Sequence, residues 1–312
     1  MKGILRKLAV MLVTVLVVSF LVFLAFDVIP GDPAQAKLGT QATPEAVEAL
    51  REEMGLNRPF LVRYGEWVSG LARGDLGTSY SYSMSVSQMI GEKIPITLTM
   101  MGFSFWMMVV FSVLLGIYTA RHAGGWLDRI ILIVNQIVMA VPPFFSGILI
   151  SLVLGLILKW FTPGGYISWK ENMGGFLWYM VFPSVAIALP KCAMAVKLLR
   201  SSLLEELKKE YIRTALSRGN SMRSALYFHA LKNAMMPVLT FWGMALADML
   251  AGSIIVEQVF SIPGIGRILL TSISNRDYPV VEAIIVLIAV WVVLINTLVD
   301  VIYRVIDPRI QE

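Results

Sequence analysis

Glu210-Tyr211-Ile212-Arg213-Thr214-Ala215-Leu216-Ser217-Arg218-Gly219, followed by His229-Ala230-Leu231-Lys232-Asn233-Ala234-Met235-Met236-Pro237, is basic, mildly amphipathic and broken by one glycine between its halves. It lies between two long apolar runs, so a chain that otherwise lives in a bilayer presents it to water and to a soluble partner. The composition agrees: 57% hydrophobic residues, 15% charged residues and a mean hydropathy of +0.73 lie well to the apolar side of soluble domains. Net charge is +5, but the charges sit between apolar runs and form no continuous basic face with interleaved aromatics, which excludes nucleic acid as a partner. Cys192 is the single cysteine and cannot form an intrachain disulfide; His122 and His229 are too far apart to begin a metal cage.

Working outward, the first apolar run extends from Leu8 to Phe26 behind Lys2, Arg6 and Lys7. As a helix it is about 28 Å long at about 1.5 Å per residue, and no small-x-small cleavage site follows, so it reads as a retained transmembrane helix. Five further spans follow, at Ile96 to Ala120, Ile130 to Leu158, Phe176 to Val196, Val238 to Val256 and Val280 to Val305. Pro142-Pro143 is expected to interrupt the third, and Pro183 and Pro190 the fourth. The organisation expected is all-α: a first helix in 1–27, an external insert in 28–95, a six-helix membrane core completed by 96–304 with the polar elbow at 201–235, and a tail at 305–312. With the N-terminus inside, fifteen Lys and Arg flank the spans on the inner side against ten on the outer, six of the ten in one long loop that weighs little. Both termini and the elbow are therefore expected in the cytoplasm.

The insert has structure of its own. Thr43 can cap a helix with Pro44 in its first position and Glu45 in its first turn; Val47, Leu50 and Met54 form a stripe, and Gly55 ends it. A second amphipathic segment carries Phe60, Tyr64, Trp67, Val68 and Leu71 before Gly74. Such an insert is either a packed external cap or a docking surface for a protein that delivers substrate.

At the elbow the pattern predicts a helix over Ser201–Leu216, a hinge at Gly219 where positive φ costs little, and a second helix capped by Ser221 with an apolar face of Met222, Ala225, Leu226 and Ala230. An elbow of this kind can press a small-residue face into a cleft on a partner and act as a lever on the spans to which it is joined.

Several motifs, in order along nearly the whole chain, carry a resemblance. They are Pro30-Gly31-Asp32-Pro33, Ala42-Thr43-Pro44-Glu45-Ala46, Arg73-Gly74-Asp75-Leu76-Gly77-Thr78-Ser79, the elbow, Val256-Glu257-Gln258-Val259-Phe260-Ser261-Ile262-Pro263-Gly264-Ile265-Gly266-Arg267, Arg276-Asp277-Tyr278-Pro279-Val280-Val281 and Asp307-Pro308-Arg309. Together they resemble the permease subunits of the dipeptide, oligopeptide and nickel ABC importer family. The resemblance implies a type I importer permease fold, similar to the molybdate and methionine permeases, with an external helical insert after the first helix. It implies a sister permease forming a heterodimeric pore, two ATPase subunits at the cytoplasmic loop, an extracytoplasmic substrate-binding protein, and a bacterial or archaeal cell membrane. ATP and magnesium would be held by the ATPase subunits, so this chain needs no cofactor. Glu210, Arg213, Thr214, Ala215, Gly219, Ser221 and His229 are the expected coupling residues; Arg213, Thr214 and Ala215 stand where generic ABC permeases carry Glu-Ala-Ala. The cargo implied is a di- or oligopeptide, with nickel or a metal chelate as the alternative.

What is missing argues against an enzyme: there is no Gly-x-x-x-x-Gly-Lys-[Ser/Thr], no His-Glu-x-x-His and no Gly-x-Ser-x-Gly. A secondary transporter or channel is the rival from another class. It would place ion ligands at the midplane on broken helices in an inverted repeat, and only Asp248 reads as a carboxylate deep in a span. Facing lipid, a lone carboxylate costs about 2.5–3.5 kcal/mol on insertion scales, so Asp248 is expected to face the interior, lining the path or bonding a neighbouring helix. Lys191, after Pro190, is expected either near the cytoplasmic interface or facing the pore or the sister subunit.

Overall fold

A computed structural model describes residues 2–28, 31–39 and 41–306; Pro30 of the first insert motif and the closing Asp307-Pro308-Arg309 lie outside them. The helices are α1 (Lys2–Val28), α2 (Pro33–Leu38), α3 (Pro44–Glu53), α4 (Phe60–Ala72), α5 (Val86–Arg121), α6 (Trp126–Ala140) and α7 (Pro143–Ile150), the last running on as a π-helix through Ser151–Ile157. They continue with α8 (Met173–Glu206), α9 (Glu210–Ser217), α10 (Met222–Ser224), a π-helical Ala225–Ala230, α11 (Leu231–Val259), α12 (Ile265–Ser274) and α13 (Tyr278–Ile306). Among the described residues five helical stretches are long and apolar enough to cross a membrane, and a sixth span exists if α6 and the helix from Pro143 to Ile157 are counted as one.

The third span is interrupted at Pro142-Pro143, as expected. It is two helices meeting at 106°, because Pro142 and Pro143 in succession remove two amide donors and leave Val141 and Pro142 extended. The fourth span corrects the reading: α8 passes through Pro183 and Pro190 uninterrupted. It is flanked by α6, α7 and α11, and side-chain packing on those faces outweighs the two lost backbone bonds. Similarly α5 begins at Val86, ten residues before the expected Ile96, and carries Pro95 inside it. Val86, Met89 and Ile90 are buried and extend its apolar stripe.

The chain forms two compact units, Met1–Thr97 with Pro263–Thr297, and Leu98–Ile262 with Leu298–Glu312. In the first, α1 packs on α4 through Phe20 and Phe23 against Phe60 and Tyr64, with centroids 5.3 to 5.7 Å apart. Thr43 caps α3 by accepting from Ala46 N (3.3 Å), and the α3 and α4 stripes are half-buried. Arg51 Nε donates to Asp32 (3.0 Å), joining α3 to the cap of α2. Asp277 is fully buried between α12 and α13 and accepts from Ser79 Oγ (2.5 Å), Tyr80 N (2.8 Å) and Ser81 N (3.3 Å). In the second unit α8 is the central helix. Ser184 Oγ donates to Met100 O (3.0 Å), Tyr179 Oη to Phe260 O (2.7 Å), and Gly243 leaves room for Val299.

Candidate functional site

The elbow expected as one helix over Ser201–Leu216 is two. Helix α8 ends at Glu206 in a tightened turn, with Lys208 N donating to Glu205 O and Lys209 N to Glu206 O (both 3.1 Å), and α9 restarts at Glu210 after an extended Lys209. The join is held by a side-chain network. Glu206, 9% exposed, accepts from Lys209 Nζ (2.6 Å) and Tyr211 Oη (2.5 Å), and the Tyr211 oxygen accepts in turn from Asn233 Nδ2 (3.1 Å) at the start of α11. Burial, and then the bond to the Glu206 carboxylate, hold the Tyr211 phenol above its usual range; the same carboxylate raises the Lys209 ammonium.

Helix α9 is amphipathic, and its apolar side points into the protein. Ile212 joins Ala120, Leu199, Leu203, Ala225, Ala230, Ala234 and Val238 in a buried cluster drawn from α5, α8, the π-helix and α11. Ala215 is also buried, one turn on from Ile212. This corrects two expectations. Ala215, expected among the coupling residues, is buried in the core, and of the apolar face expected after Ser221, Ala225, Leu226 and Ala230 are buried whereas Met222 is 57% exposed. The face left to solvent carries Glu210, Arg213, Thr214, Gly219, Ser221 and His229. Glu210 and Arg213 are paired one turn apart at 2.8 Å.

Gly219 ends α9 at φ +88°. Its N–H bonds Leu216 O (2.9 Å) while Asn220 N bonds Ala215 O (3.2 Å), the paired closure by which a left-handed residue terminates a helix. Ser221 then caps the next helix by accepting from Ser224 N (3.2 Å). Beyond it Phe228 stands 79% exposed beside His229. Sequence reading passed over Phe228, since an aromatic in an apolar run gives no sign of its direction. A bidentate pair supports the region: Arg200 donates to the buried Asp128 at 2.8 and 2.7 Å, tying α8 to the first turn of α6.

The two polar residues within spans meet each other. Lys191 on α8 forms an ion pair with Asp248 on α11, their side chains 21% and 59% exposed. Of the two expectations for Asp248, the bond to a neighbouring helix is the one seen; its side chain is exposed rather than buried, and an ammonium meets its charge. Two further acids on spans are buried: Glu257, which reads from the sequence as lying toward the end of its run, and Glu282, to which no local pattern points. Among the described residues no group of three or more His, Cys, Asp or Glu is placed to hold a metal ion.

With this geometry in view, comparison with known proteins is specific. Residues 112–312 match the family model described as "Binding-protein-dependent transport system inner membrane component", and residues 1–101 match the N-terminal model of the same kind. A "Probable peptide ABC transporter permease protein" of Sinorhizobium fredii is 35% identical over 308 residues, covering 99% of this chain and 98% of its own length. The dipeptide transport system permease protein of Alkalihalophilus pseudofirmus is 33% identical over 326 residues, with 98% of each chain covered. The glutathione transport system permease protein of Salmonella choleraesuis is 33% identical over 308 residues, with 99% and 98% covered.

Proposed function

This chain belongs to the family of binding-protein-dependent transport system inner membrane components, and from that premise we propose that it is the membrane-spanning permease subunit of an ATP-driven importer of di- or oligopeptides. The observation that carries the mechanism is the elbow. An exposed polar face on α9 and its Gly219 stop is backed by an apolar face locked to α5, α8 and α11. Force applied to the first reaches three spans through the second. ATP hydrolysis belongs to partner ATPase subunits that bind this elbow on the cytoplasmic side, where both termini also lie. A sister permease completes the pore, and an extracytoplasmic binding protein delivers cargo to it, in the cell membrane of a bacterium or archaeon.

Alternating access then needs no chemistry from this chain. ATP-driven closure of the partner cleft moves α9, and the packed cluster carries that movement into α8 and α11, the helices that hold Lys191 and Asp248. The pair borders the translocation path: an ion pair exposed on a membrane helix is costly against acyl chains and inexpensive against water or a second subunit. Relatives named for peptide, dipeptide and glutathione transport favour a peptide cargo over nickel or a metal chelate. The test is reconstitution in vesicles with the cognate ATPases, sister permease and binding protein, following uptake of labelled dipeptide, labelled oligopeptide and nickel. ATP-dependent peptide accumulation is expected; accumulation of nickel alone would overturn the cargo, and ATP-independent uptake would overturn the importer class.

A further inference from the structure

We infer that the first unit carries a binding site for a small zwitterion, an oxyanion joined to a primary ammonium, in a cavity of about 840 Å³ lined by the end of α1, the insert helices and the first turn of α13. The site stands apart from transport, and only its peptide arm rests on the cargo proposed above. Of eight buried side-chain nitrogen and oxygen atoms without a hydrogen-bond partner among the described residues, three belong to this lining: Arg63 Nε, Trp67 Nε1 and Tyr278 Oη. Glu282, 5% exposed, lines the same cavity.

These groups are set by their other contacts. The Arg63 guanidinium lies over the Phe23 ring (5.7 Å) and its Nη2 is held by Asp27. The Trp67 ring leans on Phe23 (6.3 Å), and the Tyr278 ring stacks on Phe26 (4.7 Å). Each donor is therefore held in place by ring packing or by an ion pair while its own hydrogen bond stays unmade. Buried donors in that condition are strong sites for an acceptor.

The mixture of groups selects the ligand. A simple anion would satisfy the three donors but meet Glu282 and Asp27; a simple cation would suit Glu282 and the aromatic faces and leave the donors unmet. A zwitterion answers both, its oxyanion on Arg63, Trp67 and Tyr278 and its ammonium on Glu282. Because α1 and α13 are both spans and the cavity lies at one end of each, the same chemistry has two sources, a phosphoethanolamine lipid headgroup and the termini of a free peptide.

The experiment is calorimetric titration of the full-length chain in detergent with four probes: glycerophosphoethanolamine, glycerophosphate, Ala-Ala and N-acetyl-Ala-Ala. At least one zwitterion should bind tenfold or more tightly than its counterpart without the amine, and which one it is identifies the source. Glu282→Gln should abolish that preference, and Trp67→Phe should weaken the preferred zwitterion severalfold. Should Glu282→Gln not fold, Trp67→Phe and Tyr278→Phe carry the test. The proposal fails if neither zwitterion binds, if the amine makes no difference, or if the folded variants bind as the wild type does.

Discussion

At Gly219 the backbone stands at φ +88°, and a Cβ built there would meet nothing within 4 Å. Replacement is therefore opposed by backbone strain alone. Gly219→Val imposes about 1–3 kcal/mol at the turn, too local to unfold packed spans. The variant should insert and assemble while uptake and cargo-stimulated ATP hydrolysis fall together. Gly219→Asn, which tolerates the left-handed region, should retain most of both. Normal rates in Gly219→Val would remove the elbow from coupling. At Lys191 and Asp248 each charge answers the other, so Asp248→Asn strands an ammonium within a span. Uptake of cationic peptides should then fall more than uptake of neutral ones, and an equal loss would leave only a structural role. A double substitution of both residues by leucine should cost less thermal stability than either single substitution, measured as Tm in detergent.

Helix α9 has eight residues and is too short to persist alone. It depends on Ile212 and Ala215 in the core and on the Glu206, Tyr211 and Asn233 network. Tyr211→Phe removes two hydrogen bonds and keeps the ring, a loss of about 1–3 kcal/mol that falls on the elbow. Amide exchange should quicken over Glu210–Ser217 and stay unchanged in the middle of α8; faster exchange throughout α8 would show that the network serves global folding. The expected Ser201–Leu216 helix failed at this scale, since the turn at 207–209 has no glycine or proline to announce it. What closes it is a carboxylate held by residues three and five positions further on, the second of them bonded in turn by Asn233.

Across the whole molecule, the longest-range bond described joins Ser79 to Asp277, 198 positions apart. It anchors the loop that carries Tyr80, whose phenol is pushed up to about 12, mainly by burial. A group neutral in the fold and raised above its unfolded value of 10.0 contributes stability that is intact below pH 10 and is lost as pH rises through about 12. The loss for a shift of this size is roughly 2–3 kcal/mol. An alkaline transition near that window should appear in tyrosinate absorbance and in proteolysis of the loop, and Tyr80→Phe should remove it. A Tyr80 phenol that ionises near the ordinary value of 10.0 in the folded wild type, read as the absorbance difference from Tyr80→Phe, would contradict the assignment.

The apolar runs, the capping Thr43 and Ser221, the stripe on α4 and the left-handed stop at Gly219 were legible in the sequence. Each depends on a few neighbouring residues, so composition and periodicity suffice. The outward elbow residues were legible for the same reason, but the inward turn of Ala215 was not. One residue's rotation about α9 depends on what Ala225 and Ala234 offer it. Nor did local sequence show that Lys191 would meet Asp248, Arg200 would meet Asp128, or α8 would pass through two prolines. Those outcomes belong to tertiary structure, because the register of two packed helices is set by the shapes of surfaces built from residues far apart along the chain.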